Sequence, residues 1–131
     1  MTIQEFLLHN ILITDGAMGT YFATKEKKEH AISENALLDE PDKIKAIHKE
    51  YIEAGASLIK TNTFLLNRSS LGVDSKEIKK LQKVAIKLAK EAIEDSKREV
   101  FLAGDIGPIP EFSYAEESDV FQEYLELLMV L

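Results

Sequence analysis

Residues 11–20 read Ile11-Leu12-Ile13-Thr14-Asp15-Gly16-Ala17-Met18-Gly19-Thr20, an apolar run closed by Asp-Gly and followed by small residues. The run predicts a buried strand that ends in a turn. Two later runs have the same shape: Ser57-Leu58-Ile59-Lys60-Thr61, and Val100-Phe101-Leu102-Ala103 closed by Gly104-Asp105. Between them lie helical patterns. Pro41 suits a first helical turn, and Ile44, Ile47, His48, Tyr51 and Ile52 then share one face up to the terminator Gly55. Asn67 to Asp74 reads as a loop, and Asp74 with Glu77 resembles a capping box. Ile78, Leu81, Ala85, Leu88 and Ala92 form the apolar face of a long helix whose Lys- and Glu-rich faces are solvated. A last helix is expected from near Ser118, presenting Phe121, Tyr124, Leu125 and Leu128 and running to Leu131 without a stop signal. Gly107-Pro108 and Pro110 interrupt regular structure before it.

Continuous apolar strands alternating with helices imply an α/β fold with a parallel, helix-covered sheet and right-handed crossovers. In a doubly wound sheet or a (β/α)8 barrel alike, ligands bind at the carboxyl ends of the strands. Those ends are polar and small here. After the first run, Gly16, Ala17 and Gly19 let backbone N–H groups approach a ligand, and Asp15 offers a carboxylate. By itself the Asp-Gly pair more readily indicates a tight turn. Thr61, Asn62 and Thr63 either line a pocket or satisfy one another across the strand ends. Asp105 is expected to cap local N–H groups in a rigid turn.

Several function classes fall away. The chain has 131 residues and a formal net charge of −7, which argues against a nucleic-acid surface of clustered Lys and Arg. No apolar stretch approaches the roughly 18 residues of a membrane span. Met1 to Asn10 lacks the basic and apolar regions of a signal peptide, so a cytoplasmic location is expected. There is no Cys, so the chain supplies no thiolate ligand or nucleophile. Gly19-Thr20 lacks the Lys of a Walker-type phosphate loop. His9 and His30 are expected exposed, and His48 packed with its ring satisfied. No metal-ligand cluster or Ser/His/Asp set is legible, and no catalytic residue is expected in this chain.

Three blocks carry a family resemblance: Ile11 to Thr20; Asp42 to Arg68 with Ile47-His48, Tyr51, Ala54-Gly55-Ala56, Ile59 and Thr61-Asn62-Thr63-Phe64; and Gly104 to Pro108. In order and spacing they resemble the homocysteine S-methyltransferase domain of betaine–homocysteine methyltransferase and cobalamin-dependent methionine synthase. The resemblance implies the first three βα units of a (β/α)8 barrel and methyl transfer to homocysteine. It implies a zinc ion held by three later Cys that binds the substrate sulfur as a thiolate. By the same resemblance Asp15 helps to hold the substrate ammonium. Backbone N–H groups of Gly16, Ala17, Met18, Gly19 and Thr20 receive its carboxylate, and Asn62 and Thr63 line the barrel mouth. The methyl donor is left open among a folate, methylcobalamin, betaine and S-methylmethionine.

The sequence departs from the family at Leu65-Leu66, where Gly-Ala is common, and at Ile109-Pro110, where Thr-Gly is frequent. Against the roughly 250 residues of a complete barrel, residues 1–131 are expected to be a partial homocysteine-binding domain that ends in the helix after the third strand. Such a chain is expected to be inactive alone and to expose strand edges that favour self-association. A non-catalytic amino-acid-binding or assembly module completed by another chain, and an inactive remnant, are the alternatives.

Overall fold

A computed structural model describes residues 1–110 and 117–131. The chain runs α1 (Ile3–Leu7), α2 (Gly19–Glu26), a 3-10 turn (Ser33–Asn35), α3 (Ala36–Asp39), α4 (Pro41–Glu53), β1 (Leu58–Lys60), α5 (Arg68–Leu71), α6 (Ser75–Ser96), β2 (Phe101–Ala103) and α7 (Glu117–Val130). β1 and β2 pair in parallel, Leu58 with Phe101, Ile59 with Leu102 and Lys60 with Ala103. The crossover between them carries α5 and α6.

α4 and α6 are the cover of this sheet. Ile44, Ile47 and Ile52 of α4, with Ala85, Ala89 and Ala92 of α6, are essentially sealed from solvent. Ile59 points from β1 into the same layer, joining Ile52, Ala56, Ala89 and Ala92. Small alanines on α6 let the two helices approach closely, and the larger isoleucines fill the gap between helix and strand. Asp74 caps α6, its Oδ1 accepting the Glu77 N–H at 2.8 Å, which is one half of the expected capping box. α4 stops at Glu53, close to Gly55 as its spacing requires.

Four expectations need correction. Ile11 to Thr14 is not a buried strand: it runs extended beside β1, with a single parallel bridge from Thr14 to Leu58. Ile11 and Ile13 are exposed. The Ser57 hydroxyl accepts the Ile13 N–H at 2.9 Å beside main-chain bonds from the Ser57 N–H to the Ile13 carbonyl at 2.8 Å and from the Asp15 N–H to the Leu58 carbonyl at 2.9 Å. Only β1 flanks the segment among the described residues. Asn67 to Asp74 is not wholly loop, because Asn67 Oδ1 accepts the Ser70 N–H at 2.8 Å and caps the short α5. In α7 the inward face is Glu123 and Leu127 with Tyr124 beside them, while Phe121, Leu125 and Leu128 are exposed. Polar docking turns that helix: Glu123 Oε1 accepts the Arg68 N–H at 2.8 Å, and Gln82 Nε2 donates to the Leu127 carbonyl at 3.1 Å.

The fourth concerns His48. It is packed on the buried face of α4 as expected, but neither ring nitrogen has a hydrogen-bond partner among the described residues. His9 and His30 are exposed. No helix among the described residues is long and apolar enough to cross a membrane.

Candidate functional site

The carboxyl ends of the extended segment, β1 and β2 surround a cleft of about 840 Å³. Its wall includes Asp15, Gly16, Ala17, Met18, Gly19 and Thr20 on one side, and Asn62, Thr63 and Asp105 on the other. All eight residues singled out from the sequence therefore meet in one place. α2 begins inside the first loop, at Gly19. Among the described residues, no hydrogen bond engages the backbone N–H groups of Gly16 to Thr20. Five adjacent donors beside a cleft, two of them opening a helix, suit an anion.

Tyr51 of α4 fixes this loop. Its hydroxyl donates to the Ala17 carbonyl at 2.7 Å. A Cβ at residue 16 would lie 2.9 Å from the Tyr51 hydroxyl oxygen, so the ring would have to shift to admit any residue but glycine there. Tyr51→Phe is expected to loosen the loop at a cost of about 1 kcal/mol. Backbone order parameters from NMR relaxation should fall in residues 16–20 while those of α6 stay unchanged.

Asp15 is held from β1. Its Oδ2 accepts the Lys60 N–H at 2.9 Å, and the Lys60 ammonium lies 3.3 Å from Oδ1. The ammonium is close in charge but out of line for a hydrogen bond, and Oδ1 is sealed from solvent with no other partner. Thr61 and Thr63 share a hydrogen bond at 2.7 Å, and Thr63 Oγ1 donates onward to the Asp105 carbonyl at 2.5 Å. Within the Thr-Asn-Thr run the two threonines thus satisfy one another, and all three residues border the cleft. Asn62 Oδ1 accepts the Ser33 hydroxyl at 2.8 Å, whereas its buried Nδ2 has no partner.

Asp105 does not cap local N–H groups as expected. Its main chain does the bonding, with its N–H donating to Thr61 Oγ1 at 3.1 Å. The half-buried carboxyl borders the cleft, and desolvation raises its pKa. Glu34 is a cleft residue that no sequence pattern singled out. Burial raises its pKa, against the hydrogen bonds it accepts from the Leu65 N–H at 3.2 Å and the Ser33 hydroxyl at 3.3 Å. Ser33 and Glu34 lie in a 3-10 turn without hydrophobic periodicity, so nothing flagged them. Lys60 was legible, because the two-residue period of a strand puts it on the face of Leu58, opposite buried Ile59.

Among the described residues no three His, Asp or Glu side chains converge to hold a metal ion. With no Cys in the chain, these residues do not fit the zinc site that the resemblance implies.

Parallel strands with helical cover and a polar cleft at the strands' carboxyl ends define an α/β architecture with its opening where such sheets receive ligands. The sequence profile of the homocysteine S-methyltransferase family matches residues 12–129, and the chain belongs to that family. It is 40% identical over 76 residues to methionine synthase of Mycobacterium leprae, covering 53% of this chain and 6% of that protein. It is 29% identical over 138 aligned positions to methionine synthase of Mycobacterium tuberculosis, covering 95% of this chain and 12% of that protein. The fold is similar to the homocysteine methyltransferase MmuM from Escherichia coli. The metallated form superposes with a TM-score of 0.73 at 19% identity, over 98% of this chain and 54% of that one. The oxidized form gives 0.73 at 21% identity, over 98% and 53%. The chain thus spans about half the length of these solved structures and a small part of the curated relatives.

Proposed function

We propose that this chain carries the amino-acid cradle of a homocysteine S-methyltransferase, built from the first three βα units of a (β/α)8 barrel in a partial homocysteine-binding domain. Its family acts on homocysteine with a methyl donor to give methionine, and this chain binds and orients the acceptor. The observation that carries the reading is the row of unengaged N–H groups from Gly16 to Thr20 next to the buried Asp15 carboxylate. An amino acid presents the complementary pair, a carboxylate for the donors and an ammonium for the acid. Asn62 and Thr63 border the cleft on its other side, and Tyr51 holds the loop in register for both ends of the ligand.

Orientation is the catalytic contribution such a cradle can make. Fixing the amino and carboxylate ends of homocysteine leaves the thiol end with few directions in which to point, which removes part of the entropic cost of meeting a methyl donor. No group among the described residues activates the thiol, so the chain alone is expected to show no methyl transfer. The zinc-bound thiolate of the family, the donor and any chain supplying further strands belong to the remainder of such an enzyme. A cytoplasmic setting suits this reading.

The test is calorimetric titration with L-homocysteine at neutral pH. Binding is expected, and Asp15→Asn should weaken it about tenfold without weakening the des-amino analogue to the same degree. Equal loss for both ligands, or no binding of homocysteine, would contradict the proposal.

A further inference from the structure

We propose that Lys60 occupies the ammonium position of the cleft when no ligand is bound, and so sets the preference between amino acids and simple carboxylates. The inference rests on reading the cleft as an amino-acid cradle. The Asp15 side chain is only 3% exposed, and the Lys60 ammonium is the cation paired with it. β1 creates this arrangement by itself, since the Lys60 N–H grips Oδ2 while the side chain of the same residue reaches Oδ1. The carboxylate assigned to a ligand's ammonium is thus closed by the chain's own ammonium.

The closure is reversible by construction. The Lys60 side chain is 39% exposed, so its charged end has water to turn to, and the buried Asp15 carboxylate it leaves needs an incoming ammonium in its place. Asp105 borders the same cleft and feels the Lys60 charge, which draws its pKa down against burial. Lys60 released from Asp15 therefore has a second carboxylate to move toward. An incoming ligand ammonium must displace Lys60 or share one carboxylate with a like charge, and both lower affinity. A ligand without the ammonium meets no such competition. Its carboxylate also gains from a positive charge beside the Gly16–Thr20 donors.

The experiment titrates L-homocysteine and its des-amino analogue into the wild-type chain, Lys60→Met and Lys60→Arg, with thermal unfolding of each protein as a check on folding. Lys60→Met is expected to raise affinity for homocysteine about tenfold while affinity for the des-amino analogue stays level or falls. Lys60→Arg should keep the wild-type ratio of the two affinities. An unchanged ratio in Lys60→Met, or Lys60→Arg behaving like Lys60→Met, would overturn the role of Lys60 while leaving the cradle intact. Homocysteine binding by none of the three proteins would overturn the cradle, and the inference about Lys60 with it.

Discussion

Gly107→Ala is expected to lower the stability of the chain by about 3 kcal/mol, enough to abolish ordered structure in the cleft. The Gly107 N–H donates to the Phe64 carbonyl at 3.2 Å, tying the loop after β2 to the loop after β1. A Cβ at residue 107 would sit 2.4 Å from that carbonyl oxygen and 3.0 Å from two atoms of the Phe64 ring. The nearest obstacle is backbone, so no rotamer change relieves it. The two loops must separate, and Asp105 and Phe64 move out of the cleft with them. Chemical denaturation should show the loss as a lower midpoint with an unchanged slope. Gly19→Ala is the control, because a Cβ at residue 19 meets nothing within 4 Å.

Acid is expected to destabilise this chain through His48. The ring is fully buried without a partner, and burial lowers its pKa from 6.5 to about 4. Above pH 6.5 the ring is neutral in both folded and unfolded chains. Below that value the unfolded chain binds a proton that the folded chain refuses until about pH 4. Stability therefore falls across that window, by about 3 kcal/mol at its lower end. Glu34 acts in the opposite sense, since its raised pKa relieves a buried charge as pH falls. The comparison that isolates the histidine is His48→Leu, whose stability should lose this part of the pH dependence and should not drop at pH 7. An identical acid profile in wild type and His48→Leu would contradict the assignment.

The readable parts of this fold were those governed by one strong local rule. Pro41, a helical face from Ile44 to Ile52 and the cap at Asp74 placed α4 and α6, since burial and capping act on the same residues there. The T-x-x-E pattern at Thr2 and Glu5 was also present: both halves of that capping box form, with the Thr2 N–H donating to Glu5 Oε2 at 2.7 Å. A five-residue helix nonetheless gives too short a period to be seen. Ile11 to Thr14 misled because β-branched content reports fitness for a pleated surface, whereas pairing depends on what lies on either side. The face of α7 misled because a carboxylate and a glutamine decided its docking, so hydrophobic spacing pointed the wrong way around.

The cleft divides along the same line. Asp15, Gly16, Ala17, Gly19, Asn62 and Thr63 were legible as polar or small residues at strand ends, where a parallel sheet opens to ligands, and the family resemblance favoured a cradle over a plain turn in the first loop. Glu34 and Ser33 reach the cleft from a turn more than two dozen residues ahead of Asn62, a placement that only the tertiary fold creates. Lys60 sat in plain view within its strand. What the sequence did not show was that its side chain would turn onto Asp15.

The measurement that bears most directly on the cradle is an amide-resolved NMR titration of the chain with L-homocysteine. The account predicts saturable shifts at Gly16 to Thr20 and at Lys60 to Thr63, with the lysine-rich face of α6 unmoved. Homocysteine added to a folded chain with no change at Gly16 to Thr20, or with changes confined to another surface, would contradict it.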